Sequence, residues 1–336
     1  MRRRDFLGAA LGAAAIQAGT AIHPIAYGQT STEPASSSAA NGRRTPLRPW
    51  SVGLIITPHP DDPEAAISRL KQLGMDNCFL SLDTYIGKYT PALAEKFNGL
   101  LDKYGITATA AEVVPGHNVW NFMDGPSTIG LVPRENRAAK IDALKQTSDF
   151  AKRLGIKQIQ THCGFIPENP RNPLYEEAVL AIREVTQHCA GNGQDFLMET
   201  GQETPTTISR TIQDVDQPNL GVGLDTANLI LYGKANPVDA AEIIGSHVKA
   251  IHAKDGKWPT DPMQLGKEVL IGTGDVDFAK VFAILRSKGY TGTVTIERET
   301  HGPKQIADVK EEKVYLERIL DPFGIACASQ TSTGNV

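Results

Sequence analysis

The chain has 336 residues, of which 21% are charged and 40% hydrophobic, and its formal net charge is −4 at pH 7. This acidic balance disfavours nucleic acid as a partner, because binding a polyanion requires a basic surface. The four cysteines are too sparse for a disulfide scaffold, so buried thiols are expected at Cys78, Cys163, Cys189 and Cys327.

The N-terminus has the layout of an export signal. Consecutive arginines in MRRRDFLG precede an Ala/Gly/Leu run that is too short and too weakly hydrophobic for a permanent transmembrane helix. We therefore expect a twin-arginine signal peptide over residues 1–28 and a flexible leader over 29–49, rich in Ser, Thr, Ala and Pro. The alternative is a basic, disordered N-terminus followed by an Ala-rich helix. The signal predicts a periplasmic or secreted protein with no membrane anchor after cleavage.

Beyond Trp50 the chain alternates short apolar runs with amphipathic stretches. Eight strands are predicted, at 51–57, 76–82, 106–114, 156–163, 195–201, 220–226, 248–254 and 292–298. One helix is predicted to begin near Asp62, and seven more are predicted at 91–104, 134–154, 175–190, 205–213, 237–245, 278–288 and 304–320.

Eight β–α units predict an α/β fold, a single-domain (β/α)8 TIM barrel over residues 50–322, followed by a C-terminal tail at 323–336. A doubly wound open sheet is the alternative, but no GxGxxG motif follows any strand, so no dinucleotide cofactor is expected.

Polar side chains end most of the predicted strands, at the face where TIM barrels carry their active sites. They are Glu112, His162, Glu199, Asp225, His252 and Glu297. A single strand-end carboxylate often caps the next helix. Here Glu, Asp, His and Glu end four consecutive strands, the fifth to the eighth, and this series indicates a shared site.

Three carboxylates at one barrel mouth repel one another and would retain protons. A divalent cation would supply the missing positive charge. Three oxygen ligands and one imidazole suit Mn²⁺, the favoured ion, as well as Mg²⁺ or Co²⁺, and they fit Zn²⁺ less well. The pattern therefore predicts a divalent metal site.

Several segments resemble the sugar phosphate isomerase/epimerase family of xylose isomerase-like TIM barrels. They are LMETGQET, VGLDTANLILYGKANP, AIHAKDGK and IGTGDVDFAKVFAILRSKGYTGTVTIERE, and the resemblance extends over most of residues 50–320. It implies that a divalent metal is held by four residues: Glu199, Asp225, His252 and Glu297. It also implies that the two glutamates serve as acid and base on opposite faces of a bound sugar. Barrels of this family often pair, so the resemblance is compatible with a homodimer but does not fix the oligomeric state.

Such chemistry begins with removal of a proton from a weakly acidic C–H beside a carbonyl. A metal would stabilise the resulting enediolate, while a carboxylate takes and returns the proton. Return to the other carbon is isomerisation, and return to the opposite face is epimerisation. If a leaving group lies one carbon further on, the same enolate expels it, so a lyase or dehydratase acting on a 3-keto-glycoside is the alternative.

Two further classes fit less well. An apurinic endonuclease is disfavoured by the acidic charge and the export signal, and a non-catalytic sugar-binding barrel would not need the complete Glu/Asp/His/Glu set. The loops after the seventh and eighth strands lack a glycine-rich phosphate cradle or an arginine cluster. The expected substrate is therefore a free sugar or keto-sugar rather than a sugar phosphate.

Five residues are predicted to contact the substrate: His162, Lys254, Glu268, Glu112 and Trp120. Lys254 lies two residues beyond His252, so a continued strand would direct both side chains to the barrel mouth. In related ketose 3-epimerases the place of Glu268 resembles a substrate-contacting arginine, and in the apurinic endonuclease branch a metal-binding histidine. A glutamate departs from both patterns.

The residues after the eighth strand are predicted to support the site. Glu299 shares the strand parity of Glu297 and is expected to orient Lys254 or a neighbouring histidine. Arg298 has the opposite parity and is expected to brace the surrounding barrel.

Overall fold

The computed structural model describes residues 46–321. The predicted signal peptide, the leader as far as residue 45 and the predicted tail at 323–336 lie outside the described residues. Within residues 46–321, no helix combines the length and the apolar character that a membrane crossing requires.

Eight parallel strands close into a barrel, as the sequence predicts. The ten strands of residues 46–321 are β1 (Val52–Ile56), β2 (Asn77–Ser81), β3 (Thr107–Glu112), β4 (Gln158–Thr161), β5 (Asp195–Glu199), β6 (Leu220–Asp225), β7 (Val248–Ala253), β8 (Asp255–Lys257), β9 (Lys267–Val269) and β10 (Val294–Ile296). The barrel order is β1-β10-β7-β6-β5-β4-β3-β2, so β10 closes the sheet between β1 and β7. β8 and β9 form a separate antiparallel hairpin after β7.

Helices follow the strands around the barrel. They are α1 (Pro63–Gln72), α2 (Pro91–Tyr104), α3 (Gly125–Thr128), α4 (Arg137–Arg153), α5 (Pro173–Gly191), α6 (Pro205–Val215), α7 (Asn228–Leu231), α8 (Pro237–Ile244), α9 (Phe278–Ser287) and α10 (Gly302–Leu320). Short 3₁₀ turns lie at Asp83–Tyr85 and Gly245–His247. Asp62 and Thr90 cap the helices α1 and α2 by accepting backbone N–H groups, and proline occupies the first turn of each.

The predicted strands agree with the structure within two residues, and the seven predicted helices with stated bounds agree within three. The hairpin and the four-residue helices α3 and α7 were not predicted, because such short elements contain too few residues for a periodic pattern.

The barrel interior is filled below its mouth. Phe79, Ala110, Leu197 and Ala250 form a small buried cluster separate from the larger core that the strands and helices share. A Cβ atom at Gly223 would lie 1.9 Å from Oε1 of Gln160, so the glycine makes room for that buried amide. This buried hydrophobic cluster therefore packs beneath the polar residues at the strand ends.

The cysteines behave as expected where they can be seen. Cys78, Cys163 and Cys189 are buried and form no disulfide within residues 46–321, and Cys327 lies outside the described residues.

The excursion after β7, which comprises residues 255–276 and includes the β8–β9 hairpin, is anchored by one buried carboxylate. Asp255 accepts the backbone N–H groups of Gly256, Gly272, Gly274 and Val276 at 2.8 to 3.1 Å. A Cβ at Gly274 would lie 1.9 Å from Oδ1 of Asp255, so this approach requires glycine. Asp255 thereby ties the base of the hairpin to the IGTG segment that follows it.

Replacing Asp255 with Asn should destabilise the fold by roughly 2 to 4 kcal/mol, because an amide NH₂ group would face backbone donors that now share a carboxylate. Urea denaturation of the two proteins measures this difference. Asp261→Asn, at an exposed position in the same excursion, is the matched control and should change stability little. Equal effects of the two substitutions would contradict the anchoring role.

Candidate metal centre and active site

Four side chains converge where consecutive barrel strands end. Glu199 and Asp225 end β5 and β6, His252 is the penultimate residue of β7, and Glu297 directly follows β10. One potential ligand atom from each residue lies within 4.8 Å of the others. Glu199, Asp225 and His252 are at most 1% exposed, and Glu297 is partly buried. The structure thus brings together all four residues predicted as metal ligands.

The carboxylate of Asp225 is hydrogen-bonded through only one of its two oxygens. Its Oδ1 accepts the backbone N–H groups of Ala227 and Asn228 at 2.7 and 2.8 Å. Its buried Oδ2 has no hydrogen-bond partner and lies 3.8 Å from Nζ of Lys254. The main chain at the start of α7 therefore orients this carboxylate toward the centre of the cluster.

The imidazole of His252 presents Nδ1 to two carboxylates. This atom lies 3.1 Å from Oε1 of Glu199 and 2.9 Å from Oε2 of Glu297. Nε2 lies 3.6 Å from Oε2 of Glu112, which also accepts from Nε2 of Gln160 at 3.2 Å. A carboxylate behind a histidine fixes the ring and its tautomer. Glu112 is thus placed to support His252 as well as to line the cavity described below.

Lys254 is a second cation within the cluster. Its fully buried ammonium group lies 3.2 Å from Oε1 of Glu297 and 2.6 Å from Oε1 of Glu299, and it donates to Oδ1 of Asn228 at 3.4 Å. The contact with Glu299 agrees with the expectation that this glutamate orients Lys254.

Burial and mutual repulsion set the protonation of the cluster. Burial raises the pKa of Asp225 well above its ordinary value, and the charges of Glu297 and Glu199 raise it further. Burial alone would raise the pKa of Glu297, but Lys254 and His252 outweigh it and hold that pKa well below the ordinary value. The neighbouring carboxylates raise the pKa of His252 although burial opposes them. A divalent cation would displace the protons retained on Asp225 and His252.

The donor set fits a divalent cation. Three carboxylates and one imidazole are ligands that Mn²⁺, Mg²⁺ and Co²⁺ accept. The buried oxygens Oε2 of Glu199, Oδ2 of Asp225 and Oε2 of Glu297 lack a hydrogen bond of good geometry. Because unpaired buried carboxylate oxygens are costly, a bound cation would stabilise this arrangement.

A cavity of about 660 Å³ opens beside the cluster. Three of the five residues predicted to contact the substrate, Glu112, Trp120 and His162, line it together with Glu297 and Glu299. This volume lies within the range usual for small-molecule sites.

His162 connects the cavity to the cluster. Its Nε2 lies 3.2 Å from Oε2 of Glu199, and its Nδ1 lies 3.1 Å from Oε1 of Gln202. The half-exposed ring of Trp120 meets the imidazole edge-on, with centroids 5.1 Å apart. His162 can therefore touch both a bound molecule and Glu199.

The other two predicted substrate contacts lie elsewhere. Neither Lys254 nor Glu268 is among the described residues that line the cavity. Lys254 lies within the cluster, in contact with Glu297 and Glu299. The carboxylate of Glu268 accepts from Nη1 of Arg298 at 2.6 Å and from the backbone N–H of Glu299 at 3.2 Å.

Asp83, Asn228 and Tyr232 also line the cavity and were not predicted. Asp83 closely follows β2 and accepts the backbone N–H of Val114 at 2.7 Å, so it carries the same strand-end signal as the recognised residues. Asn228 and Tyr232 lie on and just after α7, which is too short to show a periodicity. The buried hydroxyl of Tyr232 makes no hydrogen bond of good geometry within residues 46–321, although the side chain of Gln202 lies near it, and it is placed to meet a ligand hydroxyl.

Comparison with known proteins identifies the fold family of the chain that carries this site. A family model described as xylose isomerase-like TIM barrel matches residues 67–319. The crystal structure of a xylose isomerase domain protein from Planctomyces limnophilus has a TM-score of 0.75 and 30% sequence identity, and the match covers 83% of this chain and 99% of that chain.

More distant structures share the fold. A xylose isomerase-like TIM barrel protein from Mycobacterium smegmatis in complex with magnesium has a TM-score of 0.62 and 17% identity, over 82% of this chain and 97% of that one. A D-psicose 3-epimerase solved in the presence of D-fructose has a TM-score of 0.60 and 17% identity, over 81% and 98%.

A curated relative, an uncharacterized protein of Methanocaldococcus jannaschii, is 24% identical over 200 residues, or 55% of this chain. The match spans 64% of that relative's length.

Asp225→Asn should weaken Mn²⁺ binding by about 10- to 100-fold, because it removes a negative charge from the ligand set. Isothermal titration of metal-free protein measures the affinity. Asp239→Asn, at an exposed position in the first turn of α8, is the control and should bind as the wild type does. A folded wild-type protein that binds none of Mn²⁺, Mg²⁺ or Co²⁺ would contradict the proposed ligand set.

Proposed function

The chain belongs to the xylose isomerase-like TIM barrel family, and on that basis we propose that it is a divalent-metal-dependent isomerase or epimerase of a free sugar or keto-sugar. The observation that carries the proposal is the convergence of Glu199, Asp225, His252 and Glu297 beside a cavity of small-molecule size. The magnesium complex and the epimerase crystallised with D-fructose support a divalent metal and a sugar substrate.

Glu199 and Glu297 are the proposed acid and base. They approach the centre from β5 and from the end of β10, and an oxygen of each lies within 3.1 Å of Nδ1 of His252. Burial would raise the pKa of Glu297, but Lys254 and His252 keep it low, so the carboxylate is ionised and can accept a proton from carbon. A cation held by the four side chains would stabilise the negative charge that develops on the sugar oxygens.

The cavity wall offers the contacts that a sugar needs. The aromatic face of Trp120 can stack on a ring. His162 and the hydroxyl of Tyr232 can exchange hydrogen bonds with sugar hydroxyls. Together these residues would hold a substrate carbon between the two glutamates.

The cellular setting is also a proposal. The arginine motif within residues 1–28 supports export by the twin-arginine route to the periplasm or outside the cell. The mixed oxygen and nitrogen ligand set favours Mn²⁺, and the resemblance to paired barrels supports a homodimer.

Incubation with ketoses and keto-sugars in D₂O should introduce deuterium beside the substrate carbonyl, detectable by mass spectrometry. Glu297→Gln should slow this exchange by about 10²- to 10⁴-fold, because the amide cannot accept the proton. Glu311→Gln, on the exposed face of α10, should exchange at the wild-type rate. Exchange that survives intact in Glu297→Gln would exclude this residue as the base.

A second candidate is a lyase that eliminates an aglycone or water from a 3-keto-glycoside or keto-polyol. The observation that favours it is His162, which lines the cavity beside Glu199 and can protonate a leaving oxygen.

Product analysis separates the two reactions, because isomerisation conserves substrate mass and elimination releases a fragment. We expect a free keto-sugar to be converted into a product of unchanged mass. Release of aglycone from 3-keto-glycosides, with aldoses and ketoses unchanged, would replace the isomerase proposal with the lyase.

A further inference from the structure

The segment that carries Glu297 has little regular structure of its own. β10 ends at Ile296 and α10 begins at Gly302. Within this connection, Glu297 donates its N–H to the carbonyl of Ala253 at 3.0 Å, which extends the barrel ladder by one residue. The position of the remaining residues depends on the side chains around them.

An inner contact reaches Glu297 through Lys254. The ammonium group of Lys254 touches both Glu297 and Glu299, at 3.2 and 2.6 Å. Because Glu299 is mostly exposed, burial alone does not fix its carboxylate. The contact between Lys254 and Glu299 therefore depends on what holds the main chain at Glu299.

An outer contact holds that main chain through Glu268. One oxygen of this carboxylate accepts from the side chain of Arg298 and from the backbone N–H of Glu299, at 2.6 and 3.2 Å. Glu268 lies on β9, at the far side of the hairpin anchored by Asp255. A single carboxylate thus joins the hairpin to two successive residues after Glu297.

Arg298 is buried among acidic side chains, which hold its guanidinium group against Glu268. Its side chain is 6% exposed and also lies 2.9 Å from Asp308 and 3.7 Å from Glu312, both on α10. Glu268 is itself largely buried, at 13% exposed. A buried guanidinium deprived of one of its carboxylates is destabilised, so loss of the Glu268 charge is expected to shift Arg298 and the segment that bears it.

We propose that Glu268 is a positioning residue, which fixes residues 298–299 and thereby sets the carboxylate of Glu297 and, through Glu299, the ammonium group of Lys254. The activity readout of this proposal rests on the proposed function, whereas its metal-affinity readout requires only that the cluster binds a cation. Glu268 acts through other residues and does not touch the substrate.

The alternative is a salt bridge that contributes only to stability. Glu177 on α5 provides a matched control, because its half-buried carboxylate also pairs with arginines, Arg134 and Arg137, and it is not among the described residues that line the cavity. Glu177→Gln removes the same charge as Glu268→Gln but leaves residues 297–299 untouched.

The experiment titrates Mn²⁺ into metal-free wild type, Glu268→Gln and Glu177→Gln, and measures the thermal unfolding of each protein. We expect Glu268→Gln to weaken Mn²⁺ binding by about 10-fold or more, as outer-shell substitutions do, while Glu177→Gln stays within twofold of wild type. In D₂O exchange, Glu268→Gln should lower kcat more than it changes KM. Mn²⁺ binding by Glu268→Gln within twofold of wild type would overturn the proposal.

A second variant covers the case in which Glu268→Gln does not fold. Glu268→Asp keeps the charge on a shorter side chain, so weakened Mn²⁺ binding again supports positioning and unchanged binding refutes it. If the wild type binds Mn²⁺ but exchanges no sugar, the proposed function fails while the affinity comparison still decides the role of Glu268.

Discussion

The constraint on which this structure depends is the repulsion among carboxylates gathered at one end of the barrel. The carboxylates of Glu199, Asp225 and Glu297 lie close together, and those of Glu199 and Asp225 are fully buried. Buried like charges are unfavourable unless cations or protons offset them. His252 and Lys254 provide that offset from inside the cluster. A divalent cation would complete it, because the three acids keep oxygens without hydrogen bonds of good geometry. The same balance sets the pKa values. Burial raises the pKa of Asp225, whereas the adjacent cations lower the pKa of Glu297 despite its burial.

The barrel supplies the cluster from the strand ends, and the loops hold it in place. Main-chain N–H groups at α7 orient Asp225, and Glu112 lies behind His252. Elsewhere on the rim, the buried carboxylate of Asp255 fixes the base of a hairpin whose far strand meets the segment after β10. The side chains of the central cluster are therefore supported by surrounding polar contacts. Most of these contacts join parts of the chain that are distant in sequence.

This arrangement suits proton transfer at a carbon beside a carbonyl. Two glutamates contact one histidine nitrogen, the pKa of Glu297 is held low, and the cavity carries an aromatic ring and several hydrogen-bonding groups. In the proposed reaction, the fate of the enolate would depend on the groups around the substrate rather than on the four central residues. His162 and Tyr232 are well placed to influence it, because each lines the cavity and carries a polar atom.

The sequence by itself determined the barrel and the central cluster, because alternating β–α units prescribe parallel strands and the ends of those strands must share one face. That logic located Glu199, Asp225, His252 and Glu297 without any distance being known. It also explains why Asp83 could have been found, since it too closely follows a strand. Only the tertiary structure brought Lys254 into contact with Glu297 and joined Glu268 to Arg298 instead of the cavity. Those contacts connect residues 43 and 30 positions apart, and the second also depends on an unpredicted hairpin. No local periodicity encodes such pairs, so they arise only when the chain is folded.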